Sequence, residues 1–208
     1  PWRDEPDPYR VLVSEVMLQQ TQAARVTDYY ARFLDRFSTV EALAAASPAQ
    51  VLRFWQGLGY NRRAVRLHET ARIINDEGWP PPDELERLPG IGPYTAAAVA
   101  CFGFGLPVAA PDTNARRVLS RWLGTPLSGR RLWEAAAEEM PTDAAAEWNQ
   151  AIMDLGSAVC RPRDPACDRC PVAAWCADPT IYEPPRPQER FDGSLRQARG
   201  AVVRHLVG

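Results

Sequence analysis

Apolar positions along the chain recur at helical spacing, and strand-like alternation is scarce. Asp7-Pro8 reads as an N-cap followed by proline at the first helical position, opening a helix predicted to run to about Gln22. Ser47-Pro48 repeats that signal ahead of Val51, Leu52, Phe54 and Trp55. A helix over about 64–75 stops near Gly78 and the run Trp79-Pro80-Pro81-Pro82. A short helix over 84–88 precedes the tight turn Pro89-Gly90-Ile91-Gly92-Pro93, and a small-residue helix over 94–102 follows. Helices are also predicted over 113–123, 129–139 and 144–159, with a last one over 193–207. The stretch 179–192 is proline-rich and polar, so an extended strap is expected there.

Composition narrows the chemistry. The 208 residues, 46% apolar and 24% charged, suit a globular protein of one or two domains. No apolar run approaches the ~18 residues of a membrane span, and nothing resembles a signal peptide, so a cytoplasmic protein without membrane attachment is expected. The first residue is Pro1, so a trimmed start is expected. All 24 basic residues are arginine; there is no lysine, and only His68 and His205 are histidine. That excludes lysine Schiff bases and phosphate loops of the GxxxxGK[ST] kind, and it leaves proton transfer to carboxylates. The net charge of −2 offers no bulk attraction to nucleic acid, although local patches remain open. The clusters Arg62/Arg63/Arg66, Arg116/Arg117/Arg121, Arg130/Arg131 and Arg161/Arg163/Arg169 each read, taken alone, as a solvated face.

Four features carry candidate chemistry. Cys160, Cys167, Cys170 and Cys176 are spaced C-x6-C-x2-C-x5-C in a proline-containing loop. Metal ligation suits them better than disulfides, and the spacing alone leaves both a [4Fe–4S] cluster and zinc open. Cys101, among small apolar neighbours, reads as core packing. The Gly90/Gly92 turn exposes backbone N–H groups at a helix start, where a phosphate could sit, or it is a plain connection. Glu15 shares a helical stripe with Val11 and Leu18. Apolar surroundings would let it hold a proton as a general acid, unless it is a helix-edge carboxylate paired with arginine. Asp112, after Pro111, reads as the N-cap of an arginine-bearing helix, with or without further duty. One carboxylic acid and one carboxylate lining a cleft would suit glycosidic cleavage through an oxocarbenium-like state.

Taken together, these motifs resemble the helix–hairpin–helix DNA glycosylases, and within them the catalytic domain of MutY-type adenine glycosylases. The matching text is Pro1-Trp2-Arg3, the run Ser14 to Gln22, Gly57-Leu58-Gly59-Tyr60, Leu88 to Thr95, Asp112-Thr113-Asn114, Asn149 to Gly156, and the four cysteines. It spans about 1–180 in order. The resemblance implies an all-α fold of two helical domains with a DNA-binding cleft between them. A six-helix domain with the hairpin would occupy 7–106. An iron–sulfur domain would take 1–6 and 107–180, and a strap with a possible final helix 181–208. By family analogy Glu15 protonates adenine at N7, and ionised Asp112 stabilises the positive sugar carbon. Tyr94 sits by the sugar, and Trp2, Arg3, Leu18 and Gln150 surround the extruded base. Gln20 fills the gap it leaves. Thr21, Tyr60, Asn61, Asn114 and the Gly90/Gly92 backbone complete the DNA contacts, and the four cysteines hold a [4Fe–4S] cluster.

The endonuclease III branch has a lysine where this chain has Tyr94, so the resemblance implies base removal without strand cleavage. Two departures bear on specificity. Asn61 stands where many adenine glycosylases have a second tyrosine, and Asp112-Thr113-Asn114 leans toward the endonuclease III pattern. No lesion-reading domain follows the cysteines up to Gly208, so adenine opposite ordinary guanine is an expected substrate beside adenine opposite 8-oxoguanine. Thymine or oxidised-pyrimidine glycosylases of the same superfamily are the near alternative, and a non-catalytic iron–sulfur DNA-binding protein the far one. The expected partner is mismatched or damaged double-stranded DNA, met by a monomer in a bacterial or archaeal nucleoid.

Overall fold

The computed structural model describes residues 2–3, 6–181, 190 and 192–207. The expected strap over 179–192, and Pro1 of the first motif, lie largely outside the described residues. Among the described residues the secondary structure is helical throughout, with no strand. The chain forms two compact units, Pro1–Phe104 with Pro187–Gly208, and Gly105–Arg186.

The first unit is built around α1 (Pro8–Leu18). Asp7 caps it as predicted, its carboxylate accepting from Arg10 N at 2.8 Å. Tyr9 and every residue from Val11 to Met17 are buried, so this helix is enclosed on all sides rather than amphipathic. Around it pack α2 (Ala23–Arg36), α5 (Arg62–Glu77) and α6 (Pro93–Ala98), which runs on into a π turn over Val99–Gly103. Gly103 is required there, because a Cβ would stand 2.7 Å from Pro8 Cα. α3 (Val40–Ala44) packs on α5, and α4 (Pro48–Trp55) on α2 and α5. The Ser47–Gln50 capping box starts α4. Phe33, Phe37 and Trp55 are fully buried and pack ring against ring.

The predicted first helix differs from what is observed. It stops at Leu18, and a separate helix begins at Ala23. Gln20 between them has φ of +55°, which no helix can carry. The short helix after Pro82 is a 3-10 turn over Pro82–Arg87.

The second unit holds α7 (Thr113–Trp122), α8 (Gly129–Glu139) and α9 (Ala145–Ala158), with α7 against α9 and α8 against α7. Gly156 allows the close crossing of α7 and α9, since a Cβ there would lie 2.6 Å from Asn114 Cβ. Asn149 is wholly buried and clamps the chain entering α7. Its Oδ1 accepts from Ala110 N at 2.8 Å, and its Nδ2 donates to Val108 O at 3.0 Å. Two 3-10 turns, Cys167–Arg169 and Ala173–Trp175, carry the cysteine loop. α10 (Leu195–Val207) belongs to the first unit, where it packs on α4. No helix among the described residues is long and apolar enough to cross a membrane.

Candidate active site and cysteine array

Glu15 lies two-thirds of the way along α1 and is only 8% exposed. Leu18, one turn on, is half-buried. After Leu18 the chain leaves the helix, and Gln19 Nε2 donates to Thr95 Oγ1 at 3.3 Å, tying this end of α1 to the helix behind the glycine turn. The turn is anchored from α5, where Thr70 Oγ1 donates to Pro89 O at 3.0 Å. Gly90 has φ of +82°, and a Cβ on it would strike the Arg66 stem at 2.8 Å. Gly92 caps α6 without any side chain of its own, and half-buried Tyr94 follows Pro93. Trp2 meets Tyr30 of α2 edge-on with ring centroids 5.8 Å apart, while Arg3 is exposed.

Arg63 was hidden in an arginine cluster that reads as a solvated face, and the structure corrects that reading. Its guanidinium closes the end of α1. Nη1 donates to Val16 O and Met17 O, both at 2.9 Å, and to Gln19 O. Nη2 donates to Thr21 Oγ1 at 3.1 Å and to Gly59 O at 3.2 Å. The same cation lies 5.4 Å from the ring centres of Trp55 and Tyr60. α1 has no basic residue in its last turn, so Arg63 supplies the positive charge that its C-terminal carbonyls favour. Burial lowers the Arg63 pKa to about 10, which leaves it charged at neutral pH. It thereby holds both sides of Gln20 and the residue before Tyr60, which is also left-handed at φ of +48°. Thr21, Tyr60 and half-buried Asn61 thus share one anchored loop pair.

In the second unit, Asp112 does cap α7, as the sequence predicts, with Oδ1 accepting from Ala115 N at 2.7 Å. Its Oδ2 accepts from Asn114 Nδ2 at 2.9 Å. Asn114 Oδ1 in turn accepts from Arg117 Nη2 at 2.8 Å, and Arg117 Nε donates to Cys160 O at 2.6 Å. A chain of hydrogen bonds therefore runs from Asp112 to the backbone of the first cysteine. Burial raises the Asp112 pKa above the usual carboxylate range, and the bonds from Ala115 and Asn114 only partly oppose it. Arg117 and Arg121 are 3% and 4% exposed, so this cluster is not a solvated face either. Gln150 is half-buried on α9, next to the Asn149 clamp.

The four cysteines line one cavity of about 140 Å³ together with Arg121. Arg121 Nη1 donates to Cys160 Sγ at 3.2 Å and to Arg161 O at 2.8 Å. Burial, then the mutual repulsion of Cys160, Cys167 and Cys170, raises the Cys176 thiol. Among the described residues no three His, Cys, Asp or Glu side chains are gathered so as to hold a single metal ion. Cys101 is buried in the core of the first unit, as its neighbours suggest.

Residues 13–141 match the model of the HhH-GPD superfamily of base excision DNA repair proteins. The chain belongs to that superfamily. It is 42% identical over 219 residues to the adenine DNA glycosylase of Mycobacterium tuberculosis, an alignment covering 98% of this chain and 72% of that protein. The human adenine DNA glycosylase is 40% identical over 195 residues, 85% of this chain and 36% of its own. The solved structure of a thermostable thymine-DNA glycosylase superposes with a TM-score of 0.80 at 32% identity, covering 85% of this chain and 86% of the other. This member of the superfamily is thus a base excision DNA glycosylase, and DNA is its substrate. Of the site residues, sequence reasoning missed Arg63, Arg117, Arg121 and Asn149. Asn149 and the arginines stood inside quoted motifs and clusters, but nothing local distinguishes a buried hub from an exposed neighbour.

Proposed function

We propose that the chain is a monofunctional adenine DNA glycosylase acting on adenine mispaired with guanine or 8-oxoguanine. The observation that carries this reading is Glu15, a carboxyl 8% exposed on a helix otherwise enclosed by apolar packing. Burying such a group is costly, and positions that keep one are enriched in catalysis. Similarity to adenine glycosylases over nearly the whole chain supports adenine as the base.

In this reading Glu15 delivers its proton to adenine N7. The electron pair of the C1′–N9 bond passes into the base, and the sugar is left as an oxocarbenium ion. Asp112, ionised, stabilises the positive C1′, and Tyr94 lies by the sugar. Water adds at C1′ and loses a proton, leaving adenine and an abasic sugar. Trp2, Arg3, Leu18 and Gln150 would surround the extruded base, whose removal from the stack costs a few kcal/mol. Gln20 and Thr21 would occupy the vacated space, with Tyr60 and Asn61 toward the opposite base. Asn114 and the Gly90/Gly92 backbone would contact the sugar-phosphate chain. With no lysine in the chain, no Schiff base of that kind forms and the strand stays intact.

The four thiolates around one cavity suit a [4Fe–4S] cluster, which takes four cysteine ligands. One zinc ion with bonds of ~2.3 Å would draw its sulfurs into a single tight shell, whereas a cluster spreads four thiolates over a cube. All four sulfurs here line one cavity, and Arg121 donates to one of them. Cys160, Cys167, Cys170 and Cys176 would hold the cluster, whose contribution is to cross-link this loop.

The test is a gel assay on four duplexes, followed by alkali: adenine opposite 8-oxoguanine, adenine opposite guanine, thymine opposite guanine, and an oxidised pyrimidine. Cleavage of both adenine duplexes is expected, with Glu15→Gln inactive yet still binding DNA. Cleavage confined to the thymine duplex would transfer the chain to the thymine branch, which the 0.80 TM-score with a thymine-DNA glycosylase makes the second reading.

A further inference from the structure

α10 faces the loop pair that Arg63 anchors. Arg196, Gly200 and Val203 form its half-buried stripe, spaced as one face of a helix. Arg196 Nη1 donates to Tyr60 Oη at 3.1 Å. Between α10 and the loops lies a groove of about 1170 Å³, the floor of which is largely apolar. Five arginines line it: Arg25, Arg62, Arg196, Arg199 and Arg204. Among the described residues no aspartate or glutamate lines it, in a chain with 26 acidic residues against 24 basic ones. Five guanidinium groups around one groove, with no carboxylate lining it among the described residues, are a local polyanion site in a molecule of net charge −2. An apolar floor with a cationic rim and a tyrosine is how proteins hold a strand whose bases are locally unpaired.

We infer that α10 forms the second wall of a DNA groove, and that this groove takes the strand opposite the excised base, its phosphates on Arg199 and Arg204 and its widowed base against Tyr60. Tyr60 and Asn61 are the residues proposed to lie toward the opposite base, so the inference rests on that reading while adding a helix and three arginines to it. Arg196 fixes Tyr60 and is the positioning residue of the set. Arg199 and Arg204 are exposed and reach phosphate without disturbing the packing of α10 on α4.

The double variant Arg199→Ala/Arg204→Ala keeps strong helix formers in α10. Its binding to a duplex carrying a non-hydrolysable 2′-fluoro-deoxyadenosine opposite guanine is followed by fluorescence anisotropy across a salt series. Each lost phosphate contact reduces the slope of log Kd against log salt by about 0.9, so a fall of about 1.8 is expected, with binding on the order of tenfold weaker near 0.1 M salt. Neutral methylphosphonate linkages opposite the mismatch should abolish the difference between variant and parent, whereas the same linkages in the adenine strand should leave it. An unchanged slope, or tighter binding by the variant, overturns the inference; tighter binding would make α10 a shield over the loops. Loss of the difference with neutral linkages in the adenine strand overturns the choice of strand. The binding arms need no turnover. A parent protein that excises no adenine would therefore sink the adenine reading and leave this groove decided separately.

Discussion

At the scale of single residues, Asp112 carries two opposed demands. Its pKa is raised by burial, so the folded state binds that proton more tightly than the unfolded chain does. Protonated Asp112 therefore adds stability at low pH, and that contribution is lost as pH rises through the raised folded value. Chemistry needs the ionised form. The acid limb of single-turnover excision should accordingly lie above the ordinary aspartate value of about 3.9. Asp112→Asn keeps the cap on α7 and removes the buried charge. It should be at least as stable as the parent at pH 8 by urea unfolding, while excising adenine at least ~100-fold more slowly. Tyr94 offers a second residue-scale test. Tyr94→Lys should give a borohydride-trappable covalent adduct with DNA that the parent lacks; an adduct from the unaltered chain would contradict the monofunctional reading.

At the scale of elements, the break between α1 and α2 is the informative feature. The sequence predicts one helix to about Gln22, because Gln19-Gln20-Thr21-Gln22 contains no glycine or proline. The helix ends at Leu18 because Arg63, 45 positions past it, takes the carbonyls of Val16, Met17 and Gln19. α2 itself was not singled out, although Val26, Tyr30, Phe33 and Leu34 are its buried stripe. Its N-cap, Gln22, makes no side-chain cap bond, so the usual start signal is absent. Arg63→Ala should cost about 2–4 kcal/mol, since it strands several carbonyls in a partly buried place. Arg63→Lys should recover only part of this, because an ammonium lacks the planar fork. Hydrogen exchange should show amides 19–22 and 57–61 losing protection together in both variants, while those of α9 do not change.

At the scale of the molecule, stability and chemistry meet through the cysteine loop. Arg117 links Cys160 O to Asn114 and so to Asp112, and Arg121 holds the loop to α7. Purified anaerobically, the protein should contain about four iron and four sulfide per chain and show a broad brown absorbance. Cys170→Ser should lose that absorbance and slow excision by at least tenfold, with the far-ultraviolet signal of the first unit's helices largely kept. Zinc at one equivalent with no iron would reverse the cofactor assignment. The net charge of −2 is no obstacle to DNA at this scale, since the arginines are sorted by place. Arg117 and Arg121 are buried in structural bonds, while Arg199 and Arg204 stay exposed beside a groove.

What the sequence by itself determined is what neighbours in the chain can decide. Asp7-Pro8, Ser47-Pro48 and Asp112 cap helices because each acts on backbone groups two or three residues away. The ordered motifs likewise pointed to the superfamily, its helical fold and its carboxylates. Only the tertiary structure decided which arginines are hubs, where α1 ends, that four unevenly spaced cysteines share one cavity, and that α10 stands over the loops. The reason is physical: a buried guanidinium is tolerable only where distant segments bring enough acceptors to it, and no local pattern records which segments those are.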